Sequence, residues 1–312
     1  MKWHSLPAIS LLVPWMILPC LAPAQVRPTA NAPDREAFRI SVDVDWVVLQ
    51  ATVRGRGSRS VANLNQRDFQ VFEDAKLQEI RLFRQEDTPV TVGLIIDHSG
   101  SMREKLADVT AGARAFVRSS NSNDQMFVVN FNERVSLGLP AGMRFSDSAK
   151  QLGDAIWASQ AQGTTALYDA IIGGLSLLQR GASDKKVLMV ISDGGDNASK
   201  AGLDQVLKMA EQSNAVIYTI GIFDPDDSDK NPRVLSRLAK ESGGEAFFPR
   251  QIGETVQICE RIARDIREQY TIGYLSANNK DGAYHKIHLS AKAPANEKVS
   301  VRTRAGYRAA VR

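Results

Sequence analysis

Thr91-Val-Gly-Leu-Ile-Ile-Asp97-His-Ser99-Gly-Ser101-Met102 is an apolar run that stops at a carboxylate and two alternating hydroxyls. An apolar run of this length without alternation suits a central strand of a sheet covered on both faces. Open α/β sheets place their ligands just beyond the carboxyl ends of such strands, and Asp97, Ser99 and Ser101 stand there. In a tight loop alternate positions can point the same way, so Asp-x-Ser-x-Ser offers three oxygens to one point. Oxygen-only ligation suits a hard cation such as Mg²⁺ and needs neither sulfur nor imidazole.

Downstream of this stretch, apolar strands alternate with amphipathic helices, the order that builds a mostly parallel sheet. Leu106, Val109, Ala113, Phe116 and Val117 recur at helical spacing, and Met126 to Val129 reads as the next strand. Val135 to Leu139 reads as a short antiparallel edge, and residues 147–157 as a second helix. The loop Gln162-Gly-Thr164-Thr165 leads into a third helix marked by Leu167, Ala170, Ile171, Leu175 and Leu178. Val187 to Ile191 is another buried strand, and it too ends at a carboxylate, Ser192-Asp193-Gly-Gly. Beyond it the pattern gives a helix on Leu203 to Ala210, a strand over 215–222, a helix over 234–242 and a last strand over 245–248. The acidic Asp224-Pro-Asp-Asp-Ser-Asp229 reads as a surface loop. Ile252, Val256, Cys259, Ile262, Ala263 and Ile266 share one face of a long helix, where the Cys259 thiol serves as a small hydrophobe.

Short strands flank this α/β unit on both sides. Phe38, Ile40, Val42, Val44, Trp46 and Val48 alternate with mostly polar neighbours, followed by strand signals at residues 69–72 and 80–83. After the long helix come residues 270–274, a turn at 278–282, and strands over 285–289 and 300–304. The expected organisation is a leader at 1–24, a linker at 25–36, a small β module at 37–88, a doubly wound α/β domain at 89–276, and C-terminal strands at 277–312. Neither flanking half buries an apolar face alone, so 37–88 and the last strands are expected to pack together.

The first residues have the three parts of a secretory signal peptide: Lys2, an apolar stretch, and Leu21-Ala-Pro-Ala24 before Gln25. Pro7, Pro14 and Pro19 break the apolar stretch, which makes it a poor membrane span. Cleavage near Ala24 implies a secreted or periplasmic protein; Leu18-Pro-Cys20 is a weak match to lipoprotein processing at Cys20. With the leader gone, Cys259 is the remaining cysteine, so no disulfide framework forms within one chain. Removing Lys2 lowers the formal charge from +4 to about +3, a small excess that fades with salt and gives little ground for nucleic acid, which is not an expected partner. Arg302, Arg304, Arg308 and Arg312 read as a solvated edge strand and terminus.

Three loops come together on one sheet edge: Asp97-His-Ser99-Gly-Ser101, Gly163-Thr164-Thr165 and Ser192-Asp193-Gly194. At this point the sequence resembles the von Willebrand factor type A domain, over roughly residues 90–275. That family's metal-ion-dependent adhesion site uses an Asp-x-Ser-x-Ser loop, a Thr and an Asp, which the resemblance assigns to Asp97, Ser99, Ser101, Thr165 and Asp193. The segments Arg67-Asp-Phe-Gln-Val-Phe-Glu-Asp74 and Gln269-Tyr-Thr-Ile-Gly-Tyr274 are similar to the secreted bacterial proteins called von Willebrand factor A-related, abundant in Acidobacteria. The resemblance implies a bound Mg²⁺, with Mn²⁺ or Ca²⁺ as alternatives, and a protein partner that offers an Asp or Glu to the metal. In the family such binding can be coupled to a shift of the last helix, here Ile252 to Ile266.

Each residue also has a plainer reading. Ser101 with Glu104 has the form of a capping box, and Asp193 of a turn cap. His98 is expected to point away from the ion into a packing or surface role, and Asp169 and Asp196 to support the loops or face solvent. Adjacent Asp97-His98-Ser99 cannot form a catalytic triad, no Gly-x-Ser-x-Gly elbow surrounds a serine, and no general base accompanies the site. The expected function is a non-enzymatic, divalent-cation-dependent protein-binding module. A Mg²⁺-dependent hydrolase and a scaffold with a vestigial site are the alternatives.

Overall fold

A computed structural model describes residues 46–223, 229–251, 253–276, 282–294 and 297–309. The expected leader with Cys20 and the Ala24 cleavage site, the linker, the alternating residues Phe38 to Val44, most of the 224–229 loop, Ile252, most of the 278–282 turn and Arg312 lie outside the described residues. The strands are β1 (Trp46–Arg54), β2 (Phe69–Glu73), β3 (Lys76–Gln78), β4 (Leu82–Arg84), β5 (Val90–Asp97), β6 (Gln125–Phe131), β7 (Val135–Leu137), β8 (Lys185–Ser192), β9 (Ala215–Gly221), β10 (Ala246–Phe247), β11 (Tyr270–Leu275), β12 (Tyr284–Ala291), β13 (Ser300–Arg302) and β14 (Gly306–Arg308). The helices are α1 (Leu106–Ser119), α2 (Ala149–Ile156), α3 (Leu167–Leu178), α4 (Leu203–Gln212), α5 (Pro232–Ser242) and α6 (Glu254–Arg267).

Six strands form the central sheet in the order β10-β9-β8-β5-β6-β7, parallel except for the antiparallel edge β7. This is the α/β fold read from the sequence, with helices around a mostly parallel sheet. Every residue of β5 is buried, as an unalternated apolar run requires of a central strand. A Cβ on Gly93 would collide with the Phe127 and Leu188 side chains, so glycine lets the neighbouring strands' large residues fill the middle of the sheet. From β5 the chain winds outward to β6, then returns to β8 on the other side. Asp97 and Ser192 therefore end adjacent strands at the point where the winding reverses, which is where open α/β sheets leave a crevice.

The remaining eight strands form two antiparallel sheets, β13-β1-β11-β4 and β14-β12-β2-β3. Strands from both chain ends interleave: β1 pairs with β11 and β13, and β2 pairs with β12. The inner faces share a second apolar core that includes Leu49, Ala51, Val71, Tyr270, Ile272 and Tyr274. β3 and β14 are too short to show a period in the sequence and are seen only in the structure.

The C-terminal arginines correct the sequence reading, because they are not a solvated tail. Arg302 pairs with Glu245, Arg308 with Glu211 at 3.2 Å, and Arg304 donates to Asn214 at 2.9 Å and lies over the Tyr307 ring. They join the antiparallel strands to the α/β unit. On α6, the fully buried Asp265 pairs with Arg54 of β1, and Arg261 pairs with Glu245 at 2.9 Å. Lys185 donates its Nζ to the Ile266 carbonyl at the end of this helix, and burial pushes its ammonium down to about 8.

Cys259 packs from α6 against Gly112 of α1, and burial pushes its thiol up to about 12. Cys259 is therefore expected to resist a thiol-directed disulfide reagent at neutral pH in the folded protein and to react on denaturation, read by absorbance. Rapid native labelling of Cys259 would contradict this packing. Among the described residues no helix is long and apolar enough to cross a membrane.

Candidate metal centre

Asp97 ends β5 with its side chain fully buried. Its Oδ1 accepts from the Ser99 backbone N–H at 2.8 Å and its Oδ2 from the Ser192 hydroxyl at 2.6 Å. Burial pushes its carboxyl up to about 6; the hydrogen bonds from Ser192 and Ser99 work against this, and the nearby Asp193 adds to it. The loop then tightens into a single 3₁₀ turn, Gly100–Met102, which carries Met102 into the core and leaves Ser101 exposed.

The turn brings the two hydroxyls together. Ser99 Oγ lies 3.1 Å from Ser101 Oγ, and Ser101 Oγ donates to Asp193 Oδ2 at 2.6 Å. Asp193 accepts the Gly195 N–H on its Oδ1 at 3.0 Å, a turn that requires Gly194 at a φ of 83°. The turn-cap reading of Asp193 thus holds for one oxygen, while the other serves the cluster. The capping-box reading of Ser101 does not hold, because α1 begins at Leu106.

Thr165 comes to the same edge through its backbone. The Gly100 N–H donates to the Gly163 carbonyl at 3.0 Å and Gln162 N–H to the His98 carbonyl at 2.9 Å, fastening the second loop to the first. Thr165 N–H donates to Asn197 Oδ1 at 2.8 Å, and its carbonyl accepts from Asn197 and Ala198, fastening it to the third. Among the described residues no hydrogen bond joins the Thr165 hydroxyl to the other four side chains. Ser99, Ser101 and Asp193 are thus in direct contact, Asp97 joins them through the first loop's backbone, and Thr165 is a neighbour.

His98 turns away, as expected, and is fully packed, its Nε2 lying 3.1 Å from Asn130 Oδ1. Burial lowers its pKa, so the ring is neutral at physiological pH. Two supporting residues carry roles that sequence reasoning did not assign: Ser192 holds Asp97, and Asn197 holds the Thr165 loop. Asp196 supports a loop, as expected, by accepting the Tyr168 N–H at the start of α3. Asp169 accepts the backbone N–H groups of Lys200 and Ala201 at 3.0 Å each. Ser192 stands beside Asp97 only through strand pairing, a relation that no local spacing reveals.

The donor set is two carboxylates and neutral hydroxyls. Among the described residues neither Asp97 nor Asp193 forms an ion pair. Two buried, unpaired carboxylates are costly unless a cation neutralises them, so the residues fit a hard divalent ion. A second group, Glu73, Asp74 and His285, lies in the antiparallel sheets with ligand atoms within 4.8 Å of one another. There the hydroxyls of Tyr274 and Ser276 each donate to Glu73 at 2.7 Å, and His285 Nδ1 lies 2.8 Å from Asp74 Oδ2. These carboxylates already have protein partners.

The sequence profile of the von Willebrand factor type A domain matches residues 92–261. No curated protein matches the chain. Among solved structures, the von Willebrand factor type A protein from Catenulispora acidiphila is similar at 15% identity and a TM-score of 0.51, over 86% of this chain and 74% of that one. BatB from Bacteroides thetaiotaomicron is similar at 17% identity and a TM-score of 0.46, over 56% of this chain and 98% of that one. The vWF domain of the type V pili tip protein Mfa5 from Porphyromonas gingivalis is similar at 13% identity and a TM-score of 0.46, over 57% and 96%.

Proposed function

Because this chain belongs to the von Willebrand factor type A domain family, we propose that Asp97, Ser99, Ser101, Thr165 and Asp193 form an intact metal-ion-dependent adhesion site. The protein is then a secreted or periplasmic, non-enzymatic module that captures a protein partner, in keeping with the secreted von Willebrand factor A-related group. The observation that carries this reading is the buried Asp97 and Asp193 pair, each held by neutral serine donors and, among the described residues, by no cationic side chain.

Mg²⁺ held there, with Mn²⁺ or Ca²⁺ as alternatives, would supply an electrophilic position for a carboxylate of the partner. The protein's own part is positional. Ser192 and the Ser99 N–H fix Asp97, Asn197 fixes the Thr165 loop, and exposed Ser101 marks the open side. The packing of His98 against Asn130 supports a binding rather than a hydrolytic role, because it removes the nearest imidazole from the centre. The same reading treats residues 37–88 and 277–312 as one β module, with β11 carrying the chain back from the 89–276 domain; the pairing of β2 with β12 supports it.

The test is capture from an envelope extract on immobilised protein. Retained proteins should elute with chelator in place of MgCl₂, and an Asp97→Ala column should retain none of them. Retention of the same proteins in chelator contradicts the reading.

A further inference from the structure

The row of residues that closes the central sheet continues past the centre. Asp97 and Ser192 stand one position beyond the registered Ile96–Ile191 pair, Ser192 pairs with Gly221 of β9, and Phe248 follows the Phe247–Ile220 pair. Positions at one level of a parallel sheet direct their side chains to the same face. Gly221 has no side chain, and the space that its Cβ would take is filled by the rings of Phe223 and Phe248. The two rings stack with centroids 5.5 Å apart and planes 26° apart. Phe248 remains 39% exposed, so part of its ring lies open two strands away from Ser192, the residue that holds Asp97. Aromatic anchors packed in a partly desolvated pocket carry much of the binding energy at protein interfaces.

We infer that this aromatic pair is a second subsite of the same interface. The partner is a protein segment carrying an apolar side chain, aromatic by preference, two to four residues from its carboxylate. The inference rests on the proposed metal site, because the carboxylate sets the register. Strands lie about 4.8 Å apart, so Phe248, beside the second strand out from β8, sits roughly 12 Å from the boundary of β5 and β8. An extended segment rises about 3.3 Å per residue, so about three to four residues span that distance. A partner with the carboxylate alone leaves the stacked rings in water.

The probe is a set of fluorescein-labelled Gly/Ser peptides with one Asp, alone or with one Phe at each separation from one to six residues, titrated by fluorescence polarisation in MgCl₂. The peptides with separations of two to four should bind about tenfold more tightly than the Asp-only peptide, the range of one aromatic anchor. Phe248→Ser should reduce that advantage to about twofold or less, and Phe248→Leu should keep most of it, which separates a lost contact from a lost fold. The inference is overturned if added Phe brings no advantage at any separation, or if the advantage survives Phe248→Ser. Binding of every peptide equally well in chelator overturns the metal site itself.

Discussion

Replacing Asp97 with Asn is expected to stabilise the metal-free protein at neutral pH and to abolish its response to Mg²⁺. Asp97 carries a carboxyl held near 6 rather than 3.8, chiefly by burial. A carboxyl raised in this way binds its proton more tightly in the folded chain. Its favourable contribution is complete below about pH 4 and is lost as pH rises through about 6, leaving the ionised form with a penalty of about 3 kcal/mol at pH 7.5. Asn cannot ionise; its single oxygen can keep the Ser99 N–H while its amide donates to the rotatable Ser192 hydroxyl, and these neutral bonds are weaker by about 1 kcal/mol. The net gain in chelator should be about 1–3 kcal/mol. In MgCl₂ that advantage should shrink to nothing or reverse, since wild type gains about 2.7 kcal/mol at a hundredfold excess over Kd and the variant gains none. Thermal melts of both proteins at pH 5 and 7.5, with chelator and with Mg²⁺, check this. A variant less stable than wild type in chelator, or one that still responds to Mg²⁺, contradicts it.

Breaking the ion pair between β1 and α6 is expected to be the largest purely structural loss. Asp265 is 3% exposed and meets Arg54 directly, with Arg302 at 3.8 Å as its other cation. Arg54→Ala leaves a buried carboxylate whose main partner is gone, at a cost of about 3 kcal/mol or more. For a unit of this size that is roughly 6–12 °C in Tm. Desolvating both charges is itself costly, so the double change Arg54→Met with Asp265→Leu should recover most of the loss. Urea denaturation of the two variants measures the difference. Equal losses in both would show that packing by the arginine stem, rather than an orphaned charge, sets the stability.

The central sheet was legible because its strands are buried on both faces and its helices are amphipathic. Val90–Asp97 and Lys185–Ser192 each end in a carboxylate or hydroxyl just where the apolar run stops, so the sequence located the candidate centre at strand ends. The parts that escaped depend on distant pairings. Arg302 meets Glu245 across 57 residues and Arg54 meets Asp265 across 211, so a basic tail in the sequence is an internal fastening in the fold. Ser192 was in view beside Asp193, yet its hydroxyl serves Asp97, 95 residues earlier. The aromatic pair at Gly221 was hidden for the same reason, since Phe223 and Phe248 meet only through the pairing of β9 with β10.

The most direct measurement is anomalous scattering from crystals of the protein grown or soaked in MnCl₂. The account predicts one strong peak at about 2.2 Å from Ser99 Oγ and Ser101 Oγ, a bonding distance for a divalent ion and oxygen, bordered by Asp97, Thr165 and Asp193. Density with no peak there, or a peak at Glu73, Asp74 and His285 instead, would contradict it.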